Sequence, residues 1–270
     1  MDADELTTEG AATVDEPVEL SGSERWAEND DLRESLSRLS QLGTRELGLN
    51  QLLTRVAAYA VRAIPGADGA GLMVSEDDRP DTIVATDPFV AEIDTIQYSI
   101  GQGPCVLAAA TGRTVRSGAL SEDARWRRFG GRVASLGVNS VLSLPLVTSL
   151  GVVGAMNVYA HDHEVFDQRA AELGEQFAVP AAISVANAHV LSQTQRLTVR
   201  LKSALETRAV IDRAVGIMLS RSGGTETEAM NRLRALSRND HRKLVEIATG
   251  IVDEAVRRAQ TRHPPGDPRP

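Results

Sequence analysis

Four cations, Arg234, Arg238, Arg242 and Lys243, stand close together late in the chain, with Asn239 among them. Guanidinium groups fork onto phosphate oxygens or stack on exposed bases, and a helix amino terminus offers unpaired backbone N–H groups to an anion. The chemistry this spacing suits is recognition of a polyanion. Arg213 adds a further charge upstream. Asn239 has two readings, an amide that reads a base edge or the turn residue that ends its helix.

Reactive residue types are otherwise sparse. Cys105 is the one cysteine, which rules out an intrachain disulfide and a cysteine-rich metal site and fits a reducing compartment. It follows Pro104 in a mainly apolar run, the setting of a buried structural thiol; redox sensing or haem ligation is the alternative. Tyr98 and Trp126 are candidates to line a ligand pocket with Cys105, with core packing as the other reading. His161 and His163 lie beside Asp162 and Glu164, but the spacing fixes no third ligand, so no metal is expected. Gly101-Gln102-Gly103 lacks the strand-to-helix placement and later glycine of a dinucleotide fingerprint. With no nucleophile signature either, no catalytic residue and no cofactor are assigned, and the chain reads as a non-enzyme.

Charge is unevenly spread. The formal net charge of −8 argues against nucleic acid if taken alone. Residues 1–40 hold twelve acids against three bases, whereas residues 193–260 hold thirteen bases against eight acids. A polyanion is therefore attracted locally to the later segment. The first thirty residues lack the basic start and apolar core of a signal peptide, and no run approaches the roughly 18 apolar residues that span a bilayer. A cytoplasmic protein without a membrane partner is expected.

The 270 residues suggest two domains. Residues 1–25, acidic and poor in groups to bury, are expected to be disordered. Residues 26–48 read as a helical segment, with Leu32, Leu36, Leu39 and Leu42 at three- and four-residue intervals. A second helix runs from Leu49 through Leu52, Leu53, Val56 and Ala60 to Ile64. Both helices are candidates for part of a dimer seam. Residues 70–74, 82–85, 140–147 and 151–159 read as strands, the last two joined by a tight turn. That order fits an antiparallel sheet with helices on one side. Helical periodicity returns over 167–189, where Pro180 predicts a kink or break.

Past Ser192 a heptad seam continues through Leu197, Leu201, Ala204, Arg208, Ile211, Val215 and Met218, as in dimer or helix packing. Arg208 is either a register-setting or capping salt bridge or a snorkelled surface side chain. Val199, Val210 and Ile217 make the same stretch apolar on a second side. Ser220 to Gly224 end this helix. A second is capped by Thr225 with Glu228 and stops near Asn239. A third starts around Asp240 or His241 and carries Leu244, Ile247, Ala248, Ile251 and Val252. Residues 261–270 read as a flexible tail.

The run from Leu201 to Leu219, with Glu228-Ala229, Leu233-Arg234, Ser237, Asn239, Arg242-Lys243-Leu244, Ala248 and Val252, resembles the ANTAR domain of transcription antitermination regulators. The resemblance implies that 193–260 form a connector and an all-α three-helix RNA-binding bundle. It further implies a homodimer that captures RNA hairpins in nascent transcripts. Arg213, Arg234, Arg238, Asn239, Arg242 and Lys243 are the residues expected to meet RNA. The family commonly has lysine where Val215 stands, so RNA affinity or dimer packing is expected to differ here. Gly216 costs roughly 1 kcal/mol against alanine in a helix, which close approach by another helix or by an RNA backbone would justify. Helix packing is the favoured assignment.

With Ile96-Gln97-Tyr98, Gly101 to Cys105, Arg125-Trp126, Ser140 to Leu146, Gly154 to Tyr159 and Phe166, residues 49–192 resemble the GAF domain of actinobacterial GAF and ANTAR proteins. The resemblance implies an α/β domain, an antiparallel sheet flanked by helices, that receives a small-molecule or protein signal. Gln102 and Arg127 replace the glutamate and proline common in such relatives. An interaction or ligand-binding dimer without RNA affinity is the rival function.

Overall fold

The computed structural model describes residues 21–42, 47–76 and 79–262. The chain divides into two compact units, Met1–Val190 and Leu191–Pro270. In the first, α1 (Gly22–Ser40), α2 (Leu49–Ala63), β1 (Gly69–Glu76), β2 (Arg79–Ala85), α3 (Pro88–Ile100), α4 (Pro104–Thr111), β3 (Val115–Ser117), α5 (Arg127–Val133), β4 (Ser140–Thr148) and β5 (Gly151–Ala160) follow in order. Then α6 (Gln168–Ser222) begins in this unit and ends in the second, which also holds α7 (Glu226–Asn239) and α8 (Leu244–Arg262).

All strand pairs are antiparallel, in the order β2-β1-β5-β4-β3. Period-two alternation sends Leu72, Leu142, Leu144, Met156 and Val158 to one face, where they pack in one cluster with Leu52, Leu53 and Val56 of α2 and Phe177 and Ala181 of α6. Val141 and Tyr159 point the other way and join Val90 and Ile93 of α3, Trp126, and Phe129 of α5. Helices therefore cover both faces, not the single face that the order of elements suggests. The near-continuous burial of β4 and β5 is the mark of a doubly covered sheet.

The amino-terminal helix begins earlier than its leucine spacing indicates. Ser21 and Glu24 form a reciprocal capping box, so residues 22–25, expected to lack structure, are helical. The rest of that expectation, over 1–20, lies outside the described residues, as do 263–270 of the expected tail. Leu32 and Leu39 are buried within the domain's own core with α2, which removes them from the dimer seam offered for them. Pro180 does not break α6: Phe177, Ala181, Ala182 and Val185 are buried around it. Their burial offsets the roughly 3 kcal/mol a mid-helix proline costs.

In the second unit Ala214, Val215, Ala229, Leu233, Ile247 and Ala248 form the core. Gly223, at φ 63°, closes α6 by donating its N–H to the Leu219 carbonyl at 2.9 Å. Thr225 and Glu228 make the expected capping box at the start of α7. The third helix starts at Leu244, later than Asp240 or His241, because His241 sits in the left-handed region at φ 52° and turns the chain first.

The heptad seam is divided. Leu197 and Leu201 are exposed, as is Ala204, whereas Val215 is only 4% exposed inside the bundle and Ile211 and Met218 pack against the same core. Val215 thus serves the packing of its own chain. Gly216 also departs from expectation: it is exposed, and a Cβ there would meet nothing within 4 Å among the described residues. Close packing by another described helix of this chain is not the reason for the glycine. Arg208 is exposed and lies 3.8 Å from Asp212, one turn on, as a surface pair.

Candidate functional sites

The α7–α8 junction brings five of the six expected polyanion contacts together. Arg234 and Arg238 are one turn apart on α7, Asn239 ends that helix, and Arg242 and Lys243 lead into α8; all five are exposed. The turn is cross-braced. Arg242 donates its N–H to the Ser237 carbonyl at 3.1 Å, and Ser237 Oγ donates to the Arg242 carbonyl at 2.6 Å. The Lys243 carbonyl accepts from the N–H groups of Glu246 and Ile247 at 3.0 and 3.3 Å, seating Lys243 at the start of α8.

Arg242 Nε lies 3.5 Å from Glu246 Oε2, both side chains about half exposed, so the pair is weak and exchangeable. Among the described residues, Arg234, Arg238 and Lys243 form no ion pair. Arg213 is on α6, its Nε donating to the Ala209 carbonyl at 3.1 Å. No hydrogen bond or ion pair among the described residues joins it to the junction. Ser237 and His241 shape this site, and periodicity did not single out either for that role. A serine five residues before an arginine is too common to signal a brace, and a positive φ at histidine leaves no trace in spacing.

The first unit holds a buried polar cluster between α3 and the sheet. Asp94 Oδ1 accepts from Tyr159 Oη at 2.7 Å and Asn157 Nδ2 at 3.0 Å; Asn157 Oδ1 accepts from Ser143 Oγ at 2.7 Å. Gln97 Oε1 accepts from the Cys105 N–H at 2.9 Å. Tyr98 Oη and Cys105 Sγ are 3.1 Å apart, and burial pushes the Cys105 thiol up to about 12. That thiol is protonated and enclosed, the opposite of an activated nucleophile. Asp94 and Gln97, three apart on the apolar side of α3, were legible as misplaced polar residues.

Trp126, grouped by sequence with Tyr98 and Cys105, belongs to a different cluster, and the Arg125 guanidinium lies over its ring at 4.3 Å. A cavity of about 590 Å³ opens elsewhere, lined by Arg116, Ser117, Asp123, Arg125, Glu164 and Phe166 among others. None of the three expected pocket residues lines it. Arg125 pairs with Asp123 at 2.6 Å, and this guanidinium, with Ser117, holds the Asp123 carboxyl near about 2. His161 Nδ1 lies 2.8 Å from Asp68 Oδ2.

The family model for the GAF domain matches residues 46–186, more than half of the chain. The chain belongs to the GAF domain family. A model for the ANTAR domain matches residues 199–252, so the GAF domain precedes an ANTAR domain. No curated protein matches. Among solved structures, the GAF domain of an Acinetobacter phosphoenolpyruvate-protein phosphotransferase superposes with a TM-score of 0.47 at 15% identity, covering 64% of this chain and 99% of its own. The equivalent Coxiella burnetii domain gives 0.47 at 14% identity, covering 62% and 98%. Free methionine-R-sulfoxide reductase from Neisseria meningitidis gives 0.44 at 17% identity, covering 65% and 96%. No helix among the described residues of this GAF and ANTAR protein is long and apolar enough to cross a membrane.

Proposed function

We propose that this protein is a non-enzymatic, cytoplasmic transcription antitermination regulator. Its ANTAR domain binds hairpin RNA in nascent transcripts under the control of a signal received by the GAF domain. One observation carries the reading: Arg234, Arg238, Arg242 and Lys243 are all exposed along the end of α7 and the braced turn into α8, beside Asn239. Such a surface neutralises phosphates and leaves guanidinium planes free for exposed bases. The working form is a homodimer. Leu197, Leu201 and Leu205 are each more than half exposed on α6, an apolar stripe that a second copy would cover.

Binding of the full-length protein to paired RNA hairpins, measured across a salt series, tests the reading. Affinity is expected to fall steeply with salt, and Arg242→Ala with Lys243→Ala to weaken it and flatten the slope. Unchanged affinity in that double variant would remove these residues from the interface. The second reading is an interaction or ligand-sensing dimer without useful RNA affinity. It is favoured by Val215, whose burial leaves no cation at the position where ANTAR relatives commonly have lysine. Transcript capture that recovers no RNA alongside a specific protein partner would support it.

A further inference from the structure

Asp94 is a carboxyl with nowhere to put its charge. It is 1% exposed, at the centre of the contact between α3 and the sheet. Its Oδ1 is satisfied by Tyr159 and Asn157, but Oδ2 has no hydrogen-bond partner among the described residues. Oδ2 sits against Gly71 of β1, where an added Cβ would come within 2.1 Å of it. A buried carboxylate is normally offset by a cation or by several donors to both oxygens.

Among the described residues the surroundings supply no cation. Tyr159 on β5, Tyr98 on α3 and Cys105 on α4 are the titratable groups that act electrostatically with Asp94, and each is itself an acid. Toward α3, β1 presents Gly71 and β5 adds the neutral Asn157. From α5, Phe129 and Val133 enter the cluster that holds Val90 and Ile93 of α3, and β2 adds Ala85 at its edge.

We propose that Asp94 is a proton-operated latch of the GAF domain: the neutral acid lets α3 lie closed on the sheet, and ionisation loosens α3 and the Gly101–Gly103 segment that leads into α4. Burial raises the Asp94 carboxyl to about 6, while the Tyr159 and Asn157 hydrogen bonds pull the other way. In an opened or unfolded chain the group titrates near its ordinary value of roughly 4. The closed state therefore holds the proton more tightly. Its extra stability is complete below roughly pH 4 and is lost as pH rises through about 6.

Amide hydrogen exchange along α3 in the full-length protein, corrected for the intrinsic pH dependence of exchange, reads the latch directly. Opening of α3 is expected to be about tenfold more frequent at pH 7.5 than at pH 5. Asp94→Asn, which keeps shape and removes the charge, is expected to abolish that difference. Equal opening at the two pH values, or a persistent difference in Asp94→Asn, overturns the latch. Should the variant not fold, carbon-13 NMR of the wild-type aspartate carboxyls decides: titration of Asp94 near pH 6 supports the latch, and titration near pH 4 overturns it.

Discussion

Ser237 and Arg242 hold each other across the turn between α7 and α8 through two reciprocal hydrogen bonds, one from the serine hydroxyl and one from the arginine N–H. The brace fixes the backbone from which Arg238, Arg242 and Lys243 project. Ser237→Ala deletes one bond and leaves a carbonyl without that donor, costing about 1 kcal/mol. Thermal unfolding is expected to register that loss, and hairpin affinity to fall several-fold although no cation has been removed. Wild-type affinity in Ser237→Ala would separate the brace from recognition.

Val215 is enclosed with Leu233 and Ala248, so a lysine there would desolvate its stem and strain to bring its ammonium to water. Val215→Lys is expected to destabilise the helical bundle by at least about 2 kcal/mol. Chemical denaturation followed by circular dichroism measures this, and a neutral effect would contradict the packing.

Cys105 has its thiol pushed up to about 12 by burial, with Asp94 adding to the shift. Alkylation by iodoacetamide at pH 8 is expected to be at least about a hundredfold slower in the folded protein than in denaturant. Mass spectrometry of timed samples follows it, and rapid modification of the native form would refute the enclosure.

Asp123 and Asp94 act on stability in opposite senses. Hydrogen bonding from Arg125 holds Asp123 near about 2, below the unfolded value, so its contribution is present above roughly pH 4 and is lost as pH falls through about 2. Asp123→Asn is expected to flatten the acid limb of the stability profile below pH 4 and to leave the slope between pH 4 and 6 unchanged. Denaturation midpoints at half-unit pH steps measure both limbs.

Much of this architecture was legible in residue order because it rests on local periodicity. The apolar stretch Ser140 to Val147 bounded by turn formers, the Thr225 and Glu228 cap, and the glycines after Ser222 each dictate a local conformation. The second helical layer over the sheet was not, since an apolar run such as Ser140 to Val147 looks alike whether one face or both are covered. At Pro180 the break, one of the two outcomes its position allows, is overridden because the helix on either side is buried against the rest of the domain, a condition set by elements distant in sequence. At the candidate sites the cations were readable from composition and spacing. That Trp126 packs in a different cluster from Tyr98 and Cys105 was not readable, because contacts between side chains of different elements depend on sheet register.

The sheet's ends carry a consequence of their own. With both faces roofed by helices, lateral growth among the described strands is open at the outermost ones, β2 and β3. β3 is three residues long, and β2 contains Pro80, which has no N–H to offer a neighbouring chain. Short or proline-bearing margins make poor templates for intermolecular strand addition, so self-association through this sheet is disfavoured.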